Sequence, residues 1–183
     1  MTLVTPPATG EIPVLSRPVS ARDHAQGAEN APVTLLMYGA YECPHCVAAN
    51  LTVKEIQKQV GERLRFVFRH FPRPNVHPHA EAAANVAEIA GAQGKFWEMH
   101  DTLFAHFDRL DGEHLVGYAE ELGLDMKEFD AALGKRLYAA KVQEDLQSGF
   151  DSGVTATPTF FINGKKHLLS AELSVLLEAI DRV

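Results

Sequence analysis

Apolar residues follow two different periods along the chain, and the change between them predicts an α/β fold. The almost unbroken apolar run at 33–38 is typical of a strand buried on both faces of a sheet. A predicted helix follows at 47–60. Residues 63–69 then alternate between inward apolar side chains and outward arginines, the last of which is Arg69. A strand, a helix and a strand in this order predict a right-handed parallel unit.

The second half of the chain begins with a long helical block and then returns to strands. From about 80 to 150 the apolar spacing is helical throughout. The sheet resumes at 159–162, where Asn163-Gly164 predicts a hairpin turn and 166–169 the returning strand. An amphipathic closing helix follows. The expected fold class is therefore α/β, with a helical subdomain inserted between a β-α-β half and a β-β-α half.

The first 27 residues differ from the rest in being rich in proline and threonine. They predict an extended arm at 1–27, followed by one domain at 28–183. A secretory signal needs an early basic residue and then an apolar segment, whereas the first basic residue here is Arg17. We therefore expect a cytoplasmic protein, or a periplasmic or secreted one if a signal has been removed.

Composition excludes several other classes of function. A formal charge of -7 without a basic run argues against nucleic-acid binding. The apolar stretches are far shorter than a membrane span, so no membrane insertion is expected. A chain of 183 residues suits one domain with a sizeable core.

The only two cysteines lie in Cys43-Pro44-His45-Cys46, between the first predicted strand and helix. Pro44 suits the first turn of a helix, which places Cys43 at the N-cap. There, free N–H groups and the helix dipole favour a thiolate, so Cys43 is the predicted nucleophile. Cys46 lies one turn further on and is the predicted resolving thiol. His45 can add a hydrogen-bond donor or a positive charge beside the Cys43 sulfur.

A zinc site is the alternative interpretation of the cysteine pair. Zinc prefers four nitrogen and sulfur ligands, and His77 and His79 could complete such a set with Cys43 and Cys46. The proline inside the motif and the predicted helix cap favour redox chemistry instead. We expect neither a metal nor another cofactor.

Motifs spread along the chain resemble the thioredoxin superfamily and, more narrowly, the DsbA-like oxidoreductases. They are the cysteine motif itself, Thr157-Pro158 before a strand, and the sequence segments at 68–72, 93–97 and 157–164. The resemblance implies a thioredoxin fold in which Pro158 is cis and packs against the cysteines. It also implies that the backbone of Thr157 binds an extended substrate segment.

Two positions depart from the pattern of the relatives. Met37 stands where relatives usually carry a buried carboxylate, which is thought to move protons to and from the resolving thiol. Thr157 is typical of the DsbC and DsbG isomerases, whereas the Pro-His pair between the cysteines is that of DsbA. The motif therefore indicates the chemistry and leaves its direction open.

By this resemblance the chain is expected to be a monomeric thiol-disulfide oxidoreductase. Its expected partners are protein thiols and disulfides, together with a redox partner protein or glutathione. Two alternatives are a thioredoxin-fold chaperone for unfolded proteins and a glutathione-dependent enzyme of the kappa transferase type. The second cysteine, Cys46, argues against the transferase, since such enzymes usually lack it.

Overall fold

A computed structural model describes residues 12–183, in which five strands form one sheet of order β1-β3-β2-β4-β5. The strands β2 and β3 are parallel, and the other neighbouring pairs are antiparallel. The strands are β1 (His24–Gln26), β2 (Val33–Gly39), β3 (Leu64–His70), β4 (Thr159–Ile162) and β5 (Lys165–Lys166).

Seven α-helices of the described residues surround the sheet, and five of them lie between β3 and β4. They are α1 (Pro44–Val60), α2 (Ala80–Ala92), α3 (Phe96–Ala105), α4 (Gly112–Glu121), α5 (Met126–Gly134), α6 (Ala139–Asp151) and α7 (Leu173–Asp181). This arrangement confirms the predicted fold class with its helical insertion. No helix of residues 12–183 combines the length and the apolar character that crossing a bilayer requires.

The central strand β2 is buried on both faces, as its apolar run predicts. Leu35 and Met37 face a large core that also contains both cysteines and much of the helical insertion. Leu36 and Tyr38 face a smaller core under α6. Because α1 begins shortly after β2 ends, the cysteine motif lies at the carboxyl end of the central strand.

The structure corrects the prediction for Arg69. The alternating pattern indicates an outward side chain, but Arg69 is 0% exposed. Its guanidinium donates to both carboxylate oxygens of Asp23, at 2.7 and 3.1 Å, and to the Tyr38 hydroxyl at 3.1 Å. An arginine in a strand is buried here because an ion pair replaces the water it loses.

Two further strand assignments differ from the sequence prediction. The sequence predicts an extended arm over residues 1–27 and no strand within it, yet β1 lies there and pairs with β3. The returning strand after the hairpin is shorter than predicted and ends at Lys166. Residues 1–11 of the predicted N-terminal arm lie outside the described residues, and the division at residue 28 stays a prediction.

Candidate active site

The cysteine motif begins α1 as the sequence predicts, with Cys43 as the N-cap residue and Pro44 in the first turn. Both thiols are free, and their residues are 3% and 0% exposed. The N–H of Cys46 donates to the Cys43 carbonyl at 2.9 Å, and the Ala40 N–H donates to the Cys46 sulfur at 3.5 Å. The two cysteines therefore lie in one hydrogen-bonded turn at the start of α1.

The Thr157-Pro158 peptide bond is cis, as the resemblance implied. It lies beside the cysteines, since the Cys43 sulfur is 3.6 Å from the Thr157 carbonyl oxygen. Both residues are half-buried. The fold thus brings together two motifs that are 114 residues apart in the sequence.

The two thiols differ strongly in acidity. A hydrogen bond from Cys46 is the main reason why the pKa of Cys43 falls to about 4. Burial opposes this shift, while the Thr157 side chain and the backbone N–H groups of His45 and Cys46 support it. The pKa of Cys46 is raised far above its usual value by the bond to Cys43, by burial and by the neighbouring negative charge. The site therefore holds one thiolate and one thiol.

The remaining predicted site residues contribute less directly. His45 is exposed, and it supports the Cys43 thiolate through its backbone N–H. A catalytic role for the His45 side chain stays a prediction. Met37 is 0% exposed and pairs with Phe68 and Phe160 on the neighbouring strands, so its position in the sheet is wholly apolar.

Glu42, which directly precedes Cys43, is a further residue of the site that the sequence analysis does not identify. Its carboxylate accepts hydrogen bonds from the backbone N–H of His79 at 2.7 Å and from the His79 ring Nδ1 at 2.8 Å. No local pattern marks this pair, because its members are 37 residues apart.

The zinc interpretation finds no support in this geometry. Within residues 12–183 the single group of three candidate metal ligands within 4.8 Å is His70, Glu88 and Asp145, which contains neither cysteine. Lys141 already places its ammonium 2.7 Å from Asp145 and 3.8 Å from Glu88. Burial raises the pKa of Glu88, but hydrogen bonds with His24 and His70 outweigh this effect and hold it well below its usual range.

Comparison with known proteins gives the family. A family model described as thioredoxin matches residues 20–182, nearly the whole of the described chain. The chain belongs to the thioredoxin family. The match includes the cysteine motif, the helical insertion and the loop with the cis proline.

Solved structures agree with this assignment at the level of the fold. BdbD from Bacillus subtilis, in its oxidised form, has a TM-score of 0.80 at 24% identity, covering 94% of this chain and 98% of that one. The alpha-DsbA1 protein of Wolbachia pipientis has a TM-score of 0.76 at 22% identity, covering 92% and 93%. The thioredoxin fold of DsbA-like proteins, which the sequence motifs implied, is thereby confirmed.

Curated relatives carry a different name. A Na(+)/H(+) antiporter, NhaA 1, of Salinispora arenicola is 45% identical over 87% of this chain and 24% of its own length. Another NhaA 1, of Mycobacterium sp. (strain KMS), is 41% identical over 91% of this chain and 28% of its own length. The chain thus spans about a quarter of the length of these relatives.

Proposed function

We propose that this chain is a thiol-disulfide oxidoreductase that exchanges disulfides with protein substrates. The observation that carries the proposal is the unequal pair of thiols at the start of α1. A hydrogen-bonded Cys43, with a pKa of about 4, lies against the fully buried Cys46 and beside the Thr157-Pro158 loop. A thiolate at neutral pH is the attacking species in disulfide exchange.

The reaction follows from the roles of the two cysteines. The Cys43 thiolate attacks a substrate disulfide, forms a mixed disulfide and releases one substrate thiolate. Cys46 then passes its proton, through solvent, to the released substrate thiolate and attacks the Cys43 sulfur, which closes the Cys43-Cys46 disulfide and releases the second substrate thiolate. Two electrons pass from the protein to the substrate, and the reverse sequence oxidises a substrate dithiol. No cofactor takes part.

Two cysteine variants test the proposal. Cys43→Ser is expected to abolish exchange with a fluorescent peptide disulfide, because serine supplies no thiolate. Cys46→Ser is expected to trap the mixed disulfide as a covalent adduct that dithiothreitol releases, which mass spectrometry detects. Exchange activity retained by Cys43→Ser would refute the proposal.

The alternative functions predict other outcomes. A chaperone would suppress aggregation of an unfolded protein even when both cysteines are replaced by serine. A glutathione-dependent enzyme of the kappa transferase type would keep its conjugating activity after Cys46→Ser, since it needs one thiol at most. Both measurements use the same variants as the exchange assay.

The direction of exchange in the cell depends on the compartment. A dithiol with a potential near -120 mV, the value known for DsbA, lies about 100 mV above cytosolic glutathione and would be kept almost fully reduced there. A cytoplasmic location would therefore favour a reductase, and an exported one an oxidase. A redox titration against glutathione decides which role the centre can perform.

The relatives named as antiporters contain a segment that matches this chain. A match that covers 91% of this chain includes Cys43 and Cys46 wherever its ends fall. We infer that this quarter of those proteins supplies a thiol-disulfide unit, and we attribute no ion transport to it.

Gel filtration of the purified chain tests the predicted monomer.

A further inference from the structure

The loop between β3 and α2, residues 71–79, contacts both halves of the active site. At its end, His79 engages both carboxylate oxygens of Glu42, the residue before Cys43. Near its start, the guanidinium of Arg73 donates to the Thr155 carbonyl at 2.9 Å, two residues before Thr157. The loop therefore spans from the cysteine side of the site to the proline side.

The loop is itself well anchored between these contacts. The N–H of Phe71 donates to the Gly39 carbonyl at 2.8 Å, and the Phe71 ring is 0% exposed. The Arg73 carbonyl accepts the N–H groups of Val76 and His77, both at 2.9 Å. A loop fixed in this way can hold the groups that it contacts.

We propose that His79 and Arg73 are positioning residues of the cysteine centre: His79 holds the Glu42 carboxylate away from the Cys43 sulfur, and Arg73 holds the loop that carries Thr157. The proposal rests on the proposed thiol-disulfide exchange and adds two residues to it. Neither residue touches the reacting sulfurs.

The Glu42 carboxylate can raise the pKa of Cys43, because it belongs to the residue directly before the proposed nucleophile. A free negative charge beside a thiolate favours the thiol and destabilises the reduced form of the centre. His79 occupies both carboxylate oxygens, and the Glu42 side chain is only 19% exposed. Without the His79 ring, only the backbone N–H of residue 79 still binds the carboxylate, and its other oxygen is free to turn towards Cys43.

The test of His79 is a double-mutant cycle with Glu42, in which the reduction potential of each variant is measured against glutathione. His79→Ala is expected to shift the equilibrium about three- to tenfold towards the disulfide, which is about 15–30 mV towards a more negative potential. The same substitution in a Glu42→Gln background is expected to give no shift, because the charge is absent. His79→Asn, which keeps a side-chain donor, is expected to restore the wild-type potential.

Several results would overturn this role for His79. They are a wild-type potential in His79→Ala, or an equal shift in both backgrounds, which would indicate a general effect on structure. The His79 side chain is 47% exposed, so its truncation leaves no buried cavity. If His79→Ala nevertheless fails to fold, His79→Leu replaces it with the same expected shift, because leucine also lacks a side-chain donor. The matched control is His77→Ala, in the same loop.

The test of Arg73 separates substrate binding from chemistry. Arg73→Ala is expected to raise KM for the peptide disulfide about three- to tenfold, with kcat and the reduction potential unchanged, because only the loop that binds substrate loses its support. Arg73→Lys is expected to recover part of the loss. The control is Arg63→Ala, which replaces an exposed arginine just before β3. An unchanged KM would refute this role.

These results are distinguishable from a failure of the proposed function. If Cys43→Ser retained exchange activity, the cysteine chemistry itself would be wrong. If the wild-type centre titrates with glutathione as a two-electron couple and the His79 and Arg73 variants match it, only the positioning roles are wrong.

Discussion

Replacing Cys46 by alanine is expected to raise the pKa of Cys43, because the hydrogen bond between these thiols is the main cause of its low value of about 4. A hydrogen bond to a charged group contributes about 1.5–3 kcal/mol, and one pKa unit corresponds to about 1.4 kcal/mol. The expected increase is therefore about 1–2 units. The backbone N–H groups at the start of α1 remain and still hold the pKa below that of a free thiol.

The measurement is a pH titration of the reduced protein, followed by the ultraviolet absorbance of the thiolate and by the rate of alkylation with iodoacetamide. Cys46→Ser is the matched control, since its hydroxyl can donate to Cys43 in place of the thiol. Its midpoint is expected to stay close to that of the wild type. Equal midpoints for Cys46→Ala and Cys46→Ser would refute the assignment of the low pKa to this hydrogen bond.

The same acidity makes the stability of the reduced protein depend on pH. The pKa of Cys43 is about 4 in the folded chain and about 8.5 when unfolded, so the unfolded chain binds more protons between these values. The stabilisation is fully present above the unfolded pKa and is lost as the pH falls through about 4. The oxidised protein has no thiol to titrate. Urea unfolding of both forms across this window measures the difference.

Two further predictions concern packing and charge in the core. Gly149→Ala is expected to destabilise the protein by about 1–3 kcal/mol in thermal unfolding, because the added carbon would lie 2.5 Å from the Phe71 ring. The control is Gly134→Ala, whose added carbon meets nothing within 4 Å and is expected to leave the stability unchanged. Asp145→Ala is expected to cost about 3–5 kcal/mol in urea unfolding, because it leaves the ammonium of Lys141 buried without its closest carboxylate; a loss below 1 kcal/mol would contradict this.

Features set by neighbouring residues were predictable from the sequence. The N-cap position of Cys43 follows from the apolar strand before it and from Pro44 after it. The double-sided burial of β2 follows from its unbroken apolar run. These features depend on interactions within a few residues, which a local pattern records.

Features that join distant segments were not predictable in this way. Arg69 reads as a surface residue until Asp23, which is 46 residues away, supplies its partner. Glu42 likewise reads as a solvated neighbour of the cysteine until the fold places His79 against it. In both cases a polar residue is paired by a contact that has no periodic signature.

The absence of a buried carboxylate at Met37 raises the question of how Cys46 loses its proton. The pKa of Cys46 is raised first by its bond to Cys43, then by burial and by the charge of the Cys43 thiolate, while the Ala40 N–H lowers it. In the proposed reaction, the mixed disulfide removes the charge of Cys43 and its capacity to accept that bond. Two of the three causes thus disappear at the step that needs a Cys46 thiolate. In the proposed reaction, attachment of a substrate therefore lowers the pKa of Cys46 without a carboxylate at position 37, while burial still raises it.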